Sequence, residues 1–397
     1  MSEQKLPNAV GADPREWKSI VLAAAARGPT AIDEATGMVH VLRHAEIERL
    51  LNEPRLRGVG LSLFDYMGIT DGPLRDWYAS LMFTNDGAPH DRLRRLVSRA
   101  FTPRAIERLR PIASARVAER LGAVREAGGG DLVAAFAGVP MQVMCSLLGV
   151  PAGAVPEFIG WVDALSPIFG IMEPAQIEAA TAAVERLRSY VHGLVEQRTH
   201  TPADDLMTSL IRAEDAGDRL TRDETVTMVA NLLIGGHDTT ASQIGCTLLT
   251  LLDQRGAVAA LRADPSLLSA LVSETIRFEQ SIVGAPRTVH EPLVIGGVER
   301  PAGTGVMFSF LAAQRDPAVW SQPDAFLPAR FAEAGAPRLL SFGGGPHYCL
   351  GASLARMTLE EVVRGVAWLA PKLGADPAGI EWVQVLGRSP SRIPVAV

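Results

Sequence analysis

Phe342-Gly343-Gly344-Gly345-Pro346-His347-Tyr348-Cys349-Leu350-Gly351 sets one cysteine between a run of three glycines and an apolar pattern of helical spacing. Past Cys349, the residues Leu350, Leu354, Leu359, Val362, Val363 and Val366 recur at the intervals of one helix face. The spacing predicts a helix over 350–371 with the sulfur at or near its N-terminus. Unpaired N–H groups and the helix dipole favour an anion there, so the thiol is expected to ionise more readily than a free one. Glycines permit backbone conformations and close approaches that a Cβ would block. A flat, bulky group could therefore lie against this loop with the thiolate aimed at its centre. Taken by itself, a lone cysteine reads more readily as a small buried hydrophobe. The glycines, His347 and the following helix shift that balance.

The chain of 397 residues is long enough for a sizeable core and, on length alone, for two domains. With 47% hydrophobic and 21% charged residues it has the make-up of an ordinary soluble globular protein. Its net charge of −6 argues against a general nucleic-acid binder, which needs a basic surface. Cys145, Cys246 and Cys349 are far apart and odd in number, so a disulfide framework is not indicated and a reducing cytoplasm is expected. The N-terminus lacks the basic-then-apolar order of a signal peptide. Leu132 to Pro156 carries no charge but is interrupted by Pro140, Pro151, Gly138, Gly149 and Gly153, and reads as a buried helix between turns rather than a membrane span.

Helical patterns dominate, at 44–52, 90–99, 104–126, 141–148, 156–166, 174–198, 203–213, 221–254, 265–278 and 350–371. Strand-like runs are few: Val39 to Leu42, Leu293 to Ile295, Thr304 to Phe310 and Ile393 to Val397. Turn signals at Thr36-Gly37, Gly296-Gly297 and Pro301-Ala302-Gly303 stand beside several of them. The expectation is a mainly α fold with a small β region, forming one domain over 1–397, with residues 1 to about 25 set apart as a loosely ordered lead-in.

Three further elements carry chemistry. Thr221-Arg222-Asp223-Glu224 has the form of a capping box and opens the long helix at 221–254. In its middle stand Gly235-Gly236-His237-Asp238-Thr239. Each mid-helix glycine costs about 1 kcal/mol relative to alanine, so the pair suggests a kink or a close-lying ligand. The Thr239 hydroxyl can bond the Gly235 carbonyl, and an acid beside a hydroxyl could relay protons. A tolerated kink with a solvated Asp238 is the plainer reading of the same residues. On the helix at 265–278, Glu274 falls on the stripe of Leu267, Leu268, Leu271 and Phe278, where a carboxylate is costly to bury unpaired. Arg277 is three residues on and within reach, which predicts a buried structural pair. His90 and Arg94 share one face of a third helix, and seven arginines lie between 92 and 110.

Together these elements closely resemble the soluble bacterial cytochromes P450, the haem-thiolate monooxygenases. The likeness runs from about residue 30 to the C-terminus. The cysteine loop looks like Phe-x-x-Gly-x-x-x-Cys-x-Gly, with Phe342, Gly345, Cys349 and Gly351 in register. Glu274 and Arg277 match the Glu-x-x-Arg pair, and Arg330 matches the arginine that completes that triad. Gly235 to Thr239 resembles the oxygen-activating segment. The resemblance implies the cytochrome P450 fold, with a long central helix over haem b. It makes Cys349 the iron ligand, and His90, Arg94, Arg287 and His347 partners of the haem propionates. Gly235, Phe342, Gly343 and Gly351 would border the haem, and Asp238 and Thr239 would handle protons. Three departures stand out: Thr358 in place of the acid that usually follows Leu354-Ala355-Arg356, Gln314 in place of asparagine, and no proline near Gln280 or Ser281.

Residues 58–72 form a glycine-punctuated apolar stretch that reads either as a lid or as packed satellite core, and the resemblance favours the lid. Leu63, Phe64 and Met67 from it, with Asn231, Leu232, Ile282 and Val283, are the expected lining of a mostly apolar substrate pocket. The implied reaction inserts one oxygen atom of O2 into an apolar small molecule, by hydroxylation or epoxidation. Electrons would come from NAD(P)H through a ferredoxin reductase and a ferredoxin. Arg92, Arg95 and Arg99 would offer that acidic carrier an electropositive surface, and a monomer is expected. Other readings are a haem-thiolate peroxygenase, a rearrangement or coupling enzyme, a non-catalytic haem sensor, and a hydrolase with Cys349 as nucleophile.

Overall fold

Thr221 starts the longest helix, Arg222–Asp253, because two backbone donors there are met by side chains. Glu224 N donates to Thr221 Oγ1 at 3.1 Å, and Thr221 N donates to Glu224 Oε2 at 2.8 Å. At 1.5 Å per residue this rod is about 48 Å long. It is apolar on most sides and correspondingly enclosed. Pro174–His200, Val139–Leu148, Leu268–Phe278 and Ala352–Leu369 all pack on it. The computed structural model describes residues 4–7, 13–215, 217–333, 335–369, 373–384 and 387–397.

The predicted helix at 104–126 is two helices, Pro103–Glu107 and Arg110–Glu126. Pro111 explains the break. It lacks the N–H that a continuous helix would use, and it is tolerated only in a first turn. At 265–278 a short 3-10 turn, Pro265–Leu267, precedes the α-helix Leu268–Phe278, and Asp264 caps the start. The sequence reading placed no helix before residue 44, yet Pro14–Arg27 is one. Trp17, Val21, Ala24 and Ala25 are its buried face, at intervals of three and four. The stretch 58–72 contains the short helix Ser62–Tyr66.

The main sheet has the order Lys5–Leu6, Thr30–Asp33, Val39–Val41, Gly305–Ser309, Gly284–Val289, Leu56–Arg57. Gly305–Ser309 runs parallel to Val39–Val41 and antiparallel to Gly284–Val289, so His40, Met307 and Pro286 stand side by side. Alternation sends Val41, Val306 and Phe308 into a core with Ile47, Leu50 and Ile295. His40 and Met307 therefore belong to the opposite face. A hairpin of Glu381–Gln384 and Arg388–Arg392 packs beside the long helix. The fold is mainly helical with small sheets, as the sequence predicts.

Candidate functional site

The cysteine loop is closed by one backbone bond, Cys349 N to the Phe342 carbonyl at 2.9 Å. Gly345 has φ +59°, and a Cβ there would come within 2.2 Å of the Leu51 carbonyl oxygen, so only glycine fits the turn. The helix begins at Ala352, past the cysteine rather than at it. Cys349 is exposed, but what it faces is an internal cavity instead of bulk solvent. Burial consequently raises its thiol pKa. The Gly351 N–H and the charge of Arg94 oppose that rise without cancelling it. The expectation of an easily ionised thiol is thus corrected for the free protein: desolvation wins over the dipole. A coordinated metal would reverse this, since a ligating thiol loses its proton outright.

Beneath the loop, Glu274 and Arg277 form a bidentate pair at 2.8 Å with both side chains fully buried. Arg330 approaches the same carboxylate at 3.2 Å, and Leu327 N donates to it at 2.7 Å. Arg277 also donates to the carbonyls of Gln314, Pro323 and Ala325. Gln314 continues the chain of contacts by donating to Ser341 Oγ at 3.1 Å. A charged knot therefore braces the residue just before Phe342. Arg356 lies over the Phe342 ring, 4.9 Å from its centroid.

Across the cavity, the long helix passes Gly235 and Gly236 without a break. Gly235 faces open space, and Thr239 Oγ1 donates to its carbonyl at 2.8 Å. Asp238 accepts a hydrogen bond from Ser166 Oγ. His237 Nε2 stands 3.7 Å from Asp238 Oδ1 and 3.5 Å from Asp163 Oδ1, and Asp163 is mostly exposed. Burial raises the Asp238 carboxyl above its ordinary value, while Ser166 and His237 pull it back in part.

The four expected basic groups divide into two kinds. His347 Nε2 lies 2.8 Å from Asp86 Oδ1, and the His347 ring lies against His90, centroids 4.2 Å apart. His90 Nδ1 is 3.0 Å from Asp91 Oδ1. Arg94 and Arg287 make no ion pair among the described residues, and burial lowers the pKa of each. Arg287 lines the cavity, and Arg94 is close enough to act on the Cys349 thiol. The sequence reading missed Asp86. Nothing in its local pattern marks it, because its partner His347 is 261 residues away.

The cavity measures about 1510 Å³, beyond the roughly 300–1,000 Å³ typical of a small-molecule pocket. A flat prosthetic group and a substrate could both fit. Leu63, Ile282 and Val283 line it as expected, and so do Tyr66, Phe83, Met144 and Phe169, which the sequence reading did not name. Phe64, Met67, Asn231 and Leu232 are not among the lining residues. Phe64 is fully buried against Tyr78, ring centroids 4.6 Å apart. Asn231 Oδ1 accepts from Met82 N at 3.0 Å, and the Met67 sulfur accepts from Met172 N at 3.1 Å. Leu232 belongs to the main core. The expected basic surface also changes: Arg92 is neutralised by Asp218 at 2.7 Å and Glu224 at 2.5 Å.

A cysteine presented to a cavity beneath a long glycine-bearing helix, braced by a buried Glu–Arg knot, defines a haem-thiolate oxygenase architecture. A profile of the family Cytochrome P450 matches residues 69–364, and the chain belongs to that family. It is 33% identical over 359 residues to 6-deoxyerythronolide B hydroxylase of Saccharopolyspora erythraea, covering 89% of this chain and 85% of that protein. To nocardicin C N-oxygenase of Nocardia uniformis subsp. tsuyamanensis it is 36% identical, covering 89% and 88%. The crystal structure of CalO2 superposes with a TM-score of 0.87 at 26% identity, over 96% of each chain. The protein is accordingly an oxidoreductase of the P450 monooxygenase family.

Proposed function

We propose that this protein binds haem b through Cys349 and inserts one atom of O2 into an apolar small molecule, by hydroxylation or epoxidation. The carrying observation is a pair of half-buried arginines without ion-pair partners among the described residues, Arg287 on the cavity wall and Arg94 near Cys349, the cysteine itself opening onto the cavity. Half-buried cations that make no ion-pair contact, Arg287 being met only at longer range by Asp86, favour an anionic ligand. A group with two carboxylates and a central metal answers both features, so the donor set fits haem. His90 and His347 complete the edge, with Asp86 and Asp91 fixing their rings. Bound haem supplies dioxygen activation, favoured by electron donation from a thiolate ligand.

The remaining residues have separate tasks. Glu274, Arg277 and Arg330 hold the loop's support rigid. Thr239 offers a hydroxyl at the cavity wall. Asp238 exchanges protons with solvent through His237 and the exposed Asp163, with Ser166 orienting its carboxyl. Leu63, Phe83, Phe169 and Ile282 shed water around an apolar substrate. No single helix among the described residues is long and apolar enough to cross a membrane. We assign the chain to the cytoplasm, as a monomer fed by NAD(P)H through a ferredoxin reductase and a ferredoxin.

Carbon-monoxide difference spectra of the reduced, haem-loaded protein test the thiolate. Wild type should show the thiolate-type band and Cys349→Ser should lose it. Product formed with a reconstituted ferredoxin chain, and not with hydrogen peroxide alone, supports the monooxygenase; the reverse pattern makes it a peroxygenase.

A further inference from the structure

Three metal-ligating side chains meet where the helix Val155–Leu165 packs on the long helix Arg222–Asp253. One ligand atom from each of Asp163, His237 and Asp238 lies within 4.8 Å of the other two. His237 is 5% exposed, and its Nδ1 has no hydrogen-bond partner. Its Nε2 faces the two carboxylates, 3.5 Å from Asp163 Oδ1 and 3.7 Å from Asp238 Oδ1. Those separations are too long for hydrogen bonds of ordinary strength. They are close to the roughly 3.4 Å between two ligand atoms that share a tetrahedral metal at about 2.1 Å each. No lysine or arginine pairs with Asp163 or Asp238 among the described residues. Burial, the larger cause, and the Asp163 charge together raise the Asp238 carboxyl. A nearly buried imidazole aimed between two carboxylates that lack a cationic side chain has the donors of a metal site.

We infer that Asp163, His237 and Asp238 bind one divalent transition-metal ion, with Zn2+ the best fit, and that water completes its shell from the exposed Asp163 side. The ligand types select the class. An imidazole nitrogen with carboxylate oxygens suits Zn2+ and its first-row neighbours, whereas Mg2+ and Ca2+ prefer oxygen alone. Two carboxylates balance the ion's charge, which a partly buried site requires. Ser166 Oγ donates to Asp238 Oδ2, so Oδ1 is left for the ion and the carboxyl is oriented from outside the coordination shell. The neutral imidazole keeps its proton on Nδ1 and coordinates through Nε2. Such an ion occupies the atoms through which Asp238 exchanges protons with solvent. It therefore acts as a reversible brake that slows proton delivery to the cavity and lowers product formed per NADH. The site stands on the geometry of these three residues; its effect on turnover rests on the proton route proposed above.

The test is equilibrium dialysis of the ferric, haem-loaded protein, free of any affinity tag, against Zn2+, with bound metal measured by atomic emission. Wild type should retain zinc at this site in the presence of excess Mg2+. His237→Asn and Asp163→Asn should each weaken that binding by more than about tenfold, and Ser166→Ala, which loses only the bond that orients Asp238, by about tenfold. A second readout needs no variant and no turnover: crystals of wild type grown with Zn2+ should show an anomalous difference peak between Asp163, His237 and Asp238. Zinc found only at other histidines, displacement by Mg2+, or no retained zinc overturns the inference. The dialysis and diffraction of wild type stand even if the variants fail to fold. During turnover, Zn2+ should lower product per NADH, and a chelator should restore it. Zinc bound at the three residues with product per NADH unchanged confirms the site and counts against the proton route alone.

Discussion

Glu274 Oε2 and Arg277 Nε are 2.8 Å apart with neither side chain exposed to solvent. The two ions sit one helical turn apart, so their own helix aligns them before any tertiary contact forms. Removing one partner of such a pair leaves an uncompensated buried charge, at a cost of about 3–5 kcal/mol. Glu274→Gln should therefore lower stability by that order in urea unfolding. It should also loosen the segment held through Gln314 and Ser341, so that haem is released faster. An unchanged unfolding midpoint would show that Arg277 is satisfied by the carbonyls of Gln314, Pro323 and Ala325 alone.

Arg94 is the clearest single-residue probe of the cofactor's charge. It has no ion-pair partner among the described residues, so apo stability should hold when it is replaced. A charge-assisted hydrogen bond to a carboxylate contributes about 1.5–3 kcal/mol. Arg94→Leu should then raise the haem dissociation constant on the order of 10- to 100-fold. Competition for haem with apomyoglobin measures it. Arg287→Leu should behave similarly, whereas Arg92→Leu, which breaks the Asp218 and Glu224 pairs, should cost stability and spare haem.

These contrasts show where sequence was informative. The capping box at Thr221, the Glu274–Arg277 spacing and the Thr239–Gly235 bond are local, and local rules of helix geometry located them. What escaped was set by long-range packing. Leu63 and Phe64 are neighbours in one apolar stretch, but only Leu63 reaches the cavity while Phe64 turns into the core against Tyr78. Asn231 was a polar candidate beside the pocket until Met82 N, 149 residues away, claimed its oxygen. Arg92 lost its role in the same way, to acids on other elements. The helix Pro14–Arg27 was legible in principle, since Asp13-Pro14 is a start signal and its buried residues repeat at helical intervals.

Asp238 gives a stability signature with a defined sign. Burial, the leading cause, raises its pKa above the ordinary 3.8. The folded protein holds this proton more tightly than the unfolded chain. The contribution is therefore fully present below the unfolded value and is lost as pH rises through the folded one. Asp238→Asn keeps an acceptor for Ser166 Oγ and removes the ionisation. The variant should gain melting temperature relative to wild type as pH is raised from about 4 to about 8. A gap that stays constant across that range would mean the carboxyl ionises as freely folded as unfolded.

Thr239 separates proton handling from packing. Its Oγ1 spends its hydrogen on the Gly235 carbonyl at 2.8 Å, which leaves the oxygen lone pairs to accept a bond from the cavity. Asp238, the preceding residue, lies 3.7 Å from His237, which in turn lies 3.5 Å from the mostly exposed Asp163. A hydroxyl in that position can pass a proton inward only if the acid refills it. General acid–base groups so placed contribute about 10²–10⁴ in rate. Thr239→Ala should leave haem binding and the substrate-induced spectral shift intact while product per NADH falls several-fold and peroxide release rises. Thr239→Ser, which keeps the oxygen, should restore most of the coupling. If Thr239→Ala forms as much product per NADH as wild type, the relay runs through another donor, and Thr240, which also lines the cavity, becomes the residue to replace.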